Sequence, residues 1–346
     1  MTSLDAKANP ATPAQPGAGR SLPTNTVLWG GVIGWGLLNL TVLGLAQGRL
    51  PFDRPSVAAS PFALQMAMPT LGLIEQIALM GLVWIMTRGR PPLNMAARAP
   101  DRPKALRETL FLVAYAFLGE AGGWVIGPAF GYRPLGFHLA GTLFGCSIPA
   151  SPGEAFLWAG YNFLVFAVVP WAWFRRCYSA LELSLKSVAP LADALLILVI
   201  GVLESAVELA TMPGVLSMTP RAFWEAAPIT FVLYALGTVL PTMVLIYAIL
   251  LPRYLKLTGS VPLTVILGGL TYAAMHLVEG WSSLSSPHDI VLSLAFAILS
   301  YTGPGLFKSY VTLRTGNAWV HAIGYHAIAP HVLVDTPMVA RMFGIG

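Results

Sequence analysis

The sequence predicts an all-α fold, a polytopic integral membrane helix bundle of about eight or nine transmembrane helices with a cytoplasmic N-terminus. Three observations lead there. Hydrophobic residues make up 56% of the chain and charged residues only 10%, with a mean hydropathy of +0.69, outside the range of soluble domains. Apolar runs of about 20 residues, the length that crosses a hydrocarbon core, recur along the chain. Arg and Lys concentrate in alternate connections between these runs, which is the pattern that orients membrane proteins. The net charge of +5 is therefore a topology signal, and the expected partner is the lipid bilayer with no nucleic acid.

Residues 1–25, rich in Pro, Ala and small polar residues, predict a disordered tail. No small-residue cleavage pattern follows the first apolar run, so the tail is expected to stay attached. Residues 26–346 then form a single transmembrane domain. Spans are expected at 27–47, 62–87, 106–127, 155–174, 190–210, 228–251, 262–281 and 289–307, with a weaker one at 317–334. The densest basic cluster, Arg88, Arg90, Arg98, Arg102, Lys104 and Arg107, follows the second span and assigns that connection to the cytoplasm. Arg175, Arg176 and Lys186, then Arg253 and Lys256, then Lys308 and Arg314 fall on the same side. The outward connections carry fewer cations: Arg49 and Arg54, Arg133, and Arg221. A multi-pass protein of a bacterial inner membrane is expected. Cys146 and Cys177 lie near different membrane edges without metal or redox spacing, and no disulfide is expected. Gly303-Pro304-Gly305 should break or kink the eighth span, which membranes tolerate where backbone lines a cavity.

Six ionisable residues interrupt the apolar runs: Glu75, Glu120, Glu204, Glu208, His276 and His326. A charge in hydrocarbon is costly unless paired or facing a wet cavity, so each is a functional candidate. The alternation of spans puts most of them at similar depth, where one shared site serves all. Glu204 and Glu208, at i and i+4, share a helix face. One of them should hold a proton, or both should bind a metal or pair with imidazolium. The alternative has Glu208 solvated at the interface near Pro213 and only Glu204 buried. Tyr272, His276 and Glu279 fall at i, i+4 and i+7, one stripe in which a carboxylate orients an imidazole. Its alternative is an interfacial belt with Trp281. In the last segment His321, His326 and His331 recur every five residues, with Asp335 beyond. That spacing turns successive rings by roughly 140° on an α-helix, so at most two should reach one site. No HExxH zinc motif is present.

From about Gly237 to Asp335 the chain resembles the CAAX protease and bacteriocin-processing family of intramembrane glutamate-dependent endopeptidases. Its pattern is Glu-Glu-x-x-x-Arg, then aromatic-x-x-x-His, then His-x-x-x-Asn or Asp. Tyr272-Ala-Ala-Met-His276 matches the second element and His326 the position of the third, and the preceding LLPRYLKLTGS resembles the family's basic connection. The first element is missing, with Pro241-Thr242 where the Glu pair would fall, and Pro330 stands four residues after His326. The resemblance implies a glutamate-activated water, with no cofactor required, and His stabilising the oxyanion. Glu204 or Glu208 is the expected replacement acid. The expected catalytic set is therefore Glu204, Glu208, His276 and His326, which would also be the ligands if a divalent metal is held. Tyr272, Glu279, Glu120 and His331 support it. The substrate would be a membrane-inserted peptide or a prenylated or apolar molecule. Two other readings use the same cavity: a non-proteolytic relative that binds a lipid, prenyl group or partner helix, and an enzyme acting on an isoprenoid-like small molecule.

Overall fold

The computed structural model describes residues 25–50, 61–139, 150–279 and 282–346. Residues 1–24 of the expected tail, Arg54, Cys146 and Trp281 lie outside the described residues. Among the described residues, seven helices are long and apolar enough to cross a bilayer: α1 (Thr26–Ala46), α2 (Phe62–Thr87), α3 (Arg102–Ala129), α4 (Pro152–Phe174), α5 (Pro190–Thr211), α6 (Pro220–Thr258) and α8 (Pro287–Thr315). Between the last two lies the shorter apolar α7 (Val261–Ala274). The chain closes with α9, continuous over 319–343. The protein is an all-α integral membrane bundle.

Local chemistry sets most helix ends. Asn25 Oδ1 accepts the backbone N–H groups of Val27 and Leu28 at the start of α1. Ser151, Thr219, Ser260 and Ser286 cap α4, α6, α7 and α8 in the same manner, each with a Pro in the first turn, where its missing N–H costs nothing. Gly259 and Gly316, at φ 63° and 65°, end α6 and α8 in the left-handed conformation that glycine adopts without strain. Every residue of Met243–Leu250 is buried, which makes α6 the central helix. The outer helices leave large apolar side chains exposed, among them Leu40, Phe117 and Leu198, as a lipid-facing surface should.

The boundaries correct the sequence reading in four places. The sixth helix is 39 residues long, so the LLPRYLKLTGS segment is helical as far as Thr258 and is not a loop. Arg253 is fully buried there, its Nε 2.7 Å from Glu108 Oε2 and its guanidinium 4.7 and 4.8 Å from the Phe174 and Tyr178 rings. Burial and the hydrogen bond it donates to Glu108 push the Tyr178 phenol above its ordinary pKa. The seventh span stops at Ala274, so His276 and Glu279 lie in the turn beyond it. The eighth continues to Thr315, which brings Lys308 into the helix interior with no exposure. The ninth begins at Trp319 and reaches Phe343.

Gly303-Pro304-Gly305 does not end α8; it lets two neighbours approach. A Cβ on Gly305 would stand 2.8 Å from Gly269 Cα of α7, and one on Gly303 3.4 Å from Leu73 Cα of α2. Small residues at such crossings are the usual route to tight helix packing in lipid. Gly324 does the same for α9, where an added Cβ would lie 3.0 Å from Ile197 Cα of α5.

The connections assigned to the cytoplasm meet at one end of the bundle. Arg98 Nη1 donates to Ser184 Oγ at 3.0 Å and to Gly316 O at 2.7 Å, joining three of them. Arg90 pairs with Asp193 at 2.5 Å, and Arg314 Nε donates to Thr87 Oγ1 at 3.0 Å. At the opposite end Arg133 pairs with Glu154 and His288 donates to Leu45 O. In a chain with its native cysteines replaced, Ala97→Cys should react with an impermeant thiol reagent only after permeabilisation, and Ser285→Cys in intact cells. The reverse labelling would invert the orientation.

Candidate active site

A cavity of about 710 Å³ lies among α2, α5, α7, α8 and α9. Glu75 and Gln76 face it from α2, Glu204 and Glu208 from α5, and Tyr272 from α7. Tyr301 and Lys308 of α8 and Tyr325, His326 and His331 of α9 complete it, with His138 entering from the segment after α3. Leu64, Leu71 and Val207 line the cavity and are also exposed on the outer surface. The mouth therefore opens between α2 and α5, toward lipid.

A carboxylate holds two imidazoles at the inner wall. Glu279 Oε1 lies 2.6 Å from His276 Nδ1 and 3.0 Å from His138 Nδ1, while Oε2 accepts the His138 backbone N–H at 3.2 Å. An ionised carboxylate only accepts, so both Nδ1 atoms carry a proton. The two rings stack with centroids 4.6 Å apart, and Tyr301 stacks on His276 at 4.0 Å. His331 repeats the arrangement, its Nδ1 3.0 Å from Asp335 Oδ2. The Nε2 atoms of His276 and His331 are buried without a hydrogen-bond partner among the described residues.

The backbone of α9 explains how two of the three recurrent histidines meet. Over Ala322–Leu333 it forms a π-helix, whose i→i+5 ladder brings residues five apart to one side. The rings of His326 and His331 are 5.1 Å apart, and His331 is 5.9 Å from His138. His321 instead packs 4.3 Å from the Tyr247 ring, away from the cavity wall. The expectation of at most two histidines at one site stands, although the rotation behind it was that of an α-helix.

Tyr272 links His276 and His326. Its ring lies 4.6 Å from that of His276, and its hydroxyl 3.3 Å from His326 Nε2. Lys308 Nζ sits 3.7 Å from the same ring's centroid and has no hydrogen-bond partner among the described residues, nor does Glu204 Oε2. Of the expected residues, Glu204, Glu208, His326, His331 and Tyr272 line the cavity, and His276 with Glu279 stand behind them. Glu204 is buried; Glu208 is less so, beside Thr211 and Met212 near the mouth. Glu120 does not line the cavity. The turn geometry of His276 and Glu279 replaces the expected helical stripe: Glu279 folds back onto His276, three residues earlier.

Sequence reasoning missed two residues. Lys308 passed for a loop cation because the Gly-Pro-Gly before it suggested a helix end. His138 lies in Pro134-Leu-Gly-Phe-His-Leu139, outside any span, and its signal was the apolar character of that connection: Leu135, Phe137, His138 and Leu139 are all buried. His138, His276 and Glu279 each offer a metal-ligating atom within 4.8 Å of the others, a different set from the expected Glu204, Glu208, His276 and His326. Comparison of the chain with protein-family models, curated proteins and solved structures gave no match.

Proposed function

We propose that the chain is a membrane-embedded hydrolase acting on an apolar or membrane-inserted substrate that enters between α2 and α5. The observation that carries this reading is the set of buried polar atoms with unspent hydrogen-bonding capacity around one cavity: His276 Nε2, His326 Nδ1, His331 Nε2, Lys308 Nζ and Glu204 Oε2. Unsatisfied groups in a bilayer core cost several kcal/mol each, and a scaffold that only packed its helices would be more stable with apolar residues there. The Tyr272, His276 and His326 constellation also supports the resemblance to CAAX-type intramembrane endopeptidases.

In this reading the carboxylate-anchored imidazoles hold the attacking water, and Glu204 accepts its proton and passes it to the leaving group. Lys308 and the donors around Tyr272 and His326 stabilise the oxyanion, in a site dry enough for those charges to count. Glu75 and Glu208 complete the acidic wall near the entrance.

The test is hydrolysis in isotopically labelled water. Protein reconstituted with a total membrane extract, containing both lipids and membrane peptides, should place the label in new products in a time-dependent manner. The same extract reconstituted without the protein serves as the blank. A wild-type protein that yields no labelled product, while Leu71→Trp at the cavity mouth still abolishes the cellular phenotype, would replace the hydrolase with a binding scaffold.

A further inference from the structure

We propose that Lys308 is a covalent docking point for an apolar aldehyde taken from the lipid phase, held as an imine on its Nζ. The inference goes beyond the hydrolase reading and does not rest on it. An imine at Lys308 fills the cavity and withdraws that nitrogen from oxyanion stabilisation, so the bound aldehyde blocks hydrolysis and is not its substrate.

A lysine in a membrane protein has three ordinary roles, and Lys308 fills none of them. The first is a place at a cytoplasmic helix end or connection, as for Lys104, Lys186 and Lys256, none of which is buried. The second is snorkelling, in which the long stem carries the ammonium out to the interface. About two turns separate Lys308 from the end of α8 at Thr315, yet its side chain has no exposure and lines the cavity. Its Nζ stands 3.7 Å from the centroid of the Tyr272 ring and 5.5 Å from that of Tyr325. The third is a hydrogen-bonded ion pair, and Nζ has no hydrogen-bond partner among the described residues. What remains is an amine set among aromatic rings on the wall of a cavity that opens to lipid.

Desolvation in a hydrophobic pocket is one of the ways an amine is made nucleophilic toward a carbonyl carbon. The flexible four-carbon stem lets Nζ swing off the Tyr272 ring into the cavity. Its lone pair adds to the aldehyde carbon, the π pair of the C=O moves to oxygen, and a proton passes from nitrogen to that oxygen to give a carbinolamine. A second proton lets the hydroxyl leave as water, and the nitrogen lone pair closes the C=N bond. Amine, aldehyde and one proton thus become iminium and water, with nothing oxidised or reduced. Glu204 lines the same cavity, leaves Oε2 without a partner among the described residues and acts electrostatically on Lys308. Its carboxyl supplies the second proton and then stands as the negative charge opposite the iminium. The positive charge stays beside the Tyr272 ring, whose face attracts a cation. An aldehyde suits the route as well as the chemistry: it is uncharged in lipid, and it enters between Leu71 and Val207 at the mouth. The cavity of about 710 Å³ lies within the size range of small-molecule sites.

The experiment is reductive trapping of the full chain in phosphatidylcholine vesicles, a lipid with no amine able to form an imine. The probe is hexadecanal with cyanoborohydride, and mass spectrometry of the digested protein reads each lysine. Wild-type Lys308 should gain a hexadecyl group, saturably and at least about tenfold faster than exposed Lys186, because the cavity holds the aldehyde beside the amine. Leu71→Trp, which narrows the mouth, should slow labelling of Lys308 and leave Lys186 unchanged. Lys308→Arg keeps a long cationic side chain that forms no such adduct, so labelling at that position should vanish while Lys186 reacts as before. Lys308→Met serves the same purpose if the arginine variant does not fold. Monodisperse wild-type protein in which Lys186 and Lys256 are labelled and Lys308 is not, or in which Lys308 reacts no faster than Lys186, overturns the site. An adduct at Lys308 in a protein that hydrolyses nothing keeps the site and removes the hydrolase. Hydrolysis by a protein whose Lys308 never reacts does the reverse.

Discussion

Glu204→Gln should lower hydrolysis by at least about a hundredfold, the usual contribution of a positioned acid or base, with membrane abundance and thermal stability close to wild type. The side chain is buried on α5, lines the cavity and leaves Oε2 without a partner among the described residues. The amide keeps its volume and most of its hydrogen bonding and removes only the ionisable proton, so a packing role would be preserved. The measurement is the rate of label incorporation at saturating extract, compared with Glu208→Gln. Glu208 is less buried and lies toward the mouth, so the neutral substitution there should change apparent affinity more than turnover. Equal activity of Glu204→Gln and wild type would take the proton-transfer role away from α5 and leave the imidazoles as the only bases.

Gly305→Val should cost the fold more than any substitution in the cavity. A Cβ at that position would lie 2.8 Å from Gly269 Cα, 2.9 Å from Gly269 O and 2.8 Å from Tyr272 Cβ. Two of these are main-chain atoms, which yield only if α7 and α8 separate. Overpacking within a core costs about 1–3 kcal/mol when side chains can shift, and here backbone must move, so the loss should lie at or above the top of that range. Fluorescence-detected size exclusion after a temperature ramp is the readout, with Gly34→Val of α1 as the control, because nothing lies within 4 Å of a Cβ there. The same displacement would move Tyr272 and with it the contact to His326, so surviving protein should also have lost activity. A thermal midpoint unchanged from wild type would show that α7 and α8 do not need the contact.

Much of the architecture was legible because membranes impose simple one-dimensional rules. Apolar runs of crossing length located α1 to α6 and α8, and basic residues in alternate connections foretold which loops meet, as the Arg98, Arg90 and Arg314 contacts bear out. Ionisable residues inside those runs were few enough that their cost marked Glu75, Glu204, Glu208 and His326 as cavity residues. Helix ends were less legible. Gly303-Pro304-Gly305 reads as a break in any local window, and only the close approach of α2 and α7 makes it an interior packing site that carries Lys308 into the bundle.

The site's wiring lay beyond the sequence for the same reason. Pairing of Glu279 with His138 spans 141 positions, and nothing local announces it. The meeting of His326 with His331 depends on a π-helical backbone where spacing alone implied an α-helical rotation. The sequence by itself determined the solvent of this protein, the places of its seven long apolar helices and several of its costly buried residues, because burial of apolar length and of charge is priced residue by residue. Tertiary structure alone decided which nitrogen faces which oxygen, because hydrogen-bond partners and tautomers depend on distances between segments that only packing fixes.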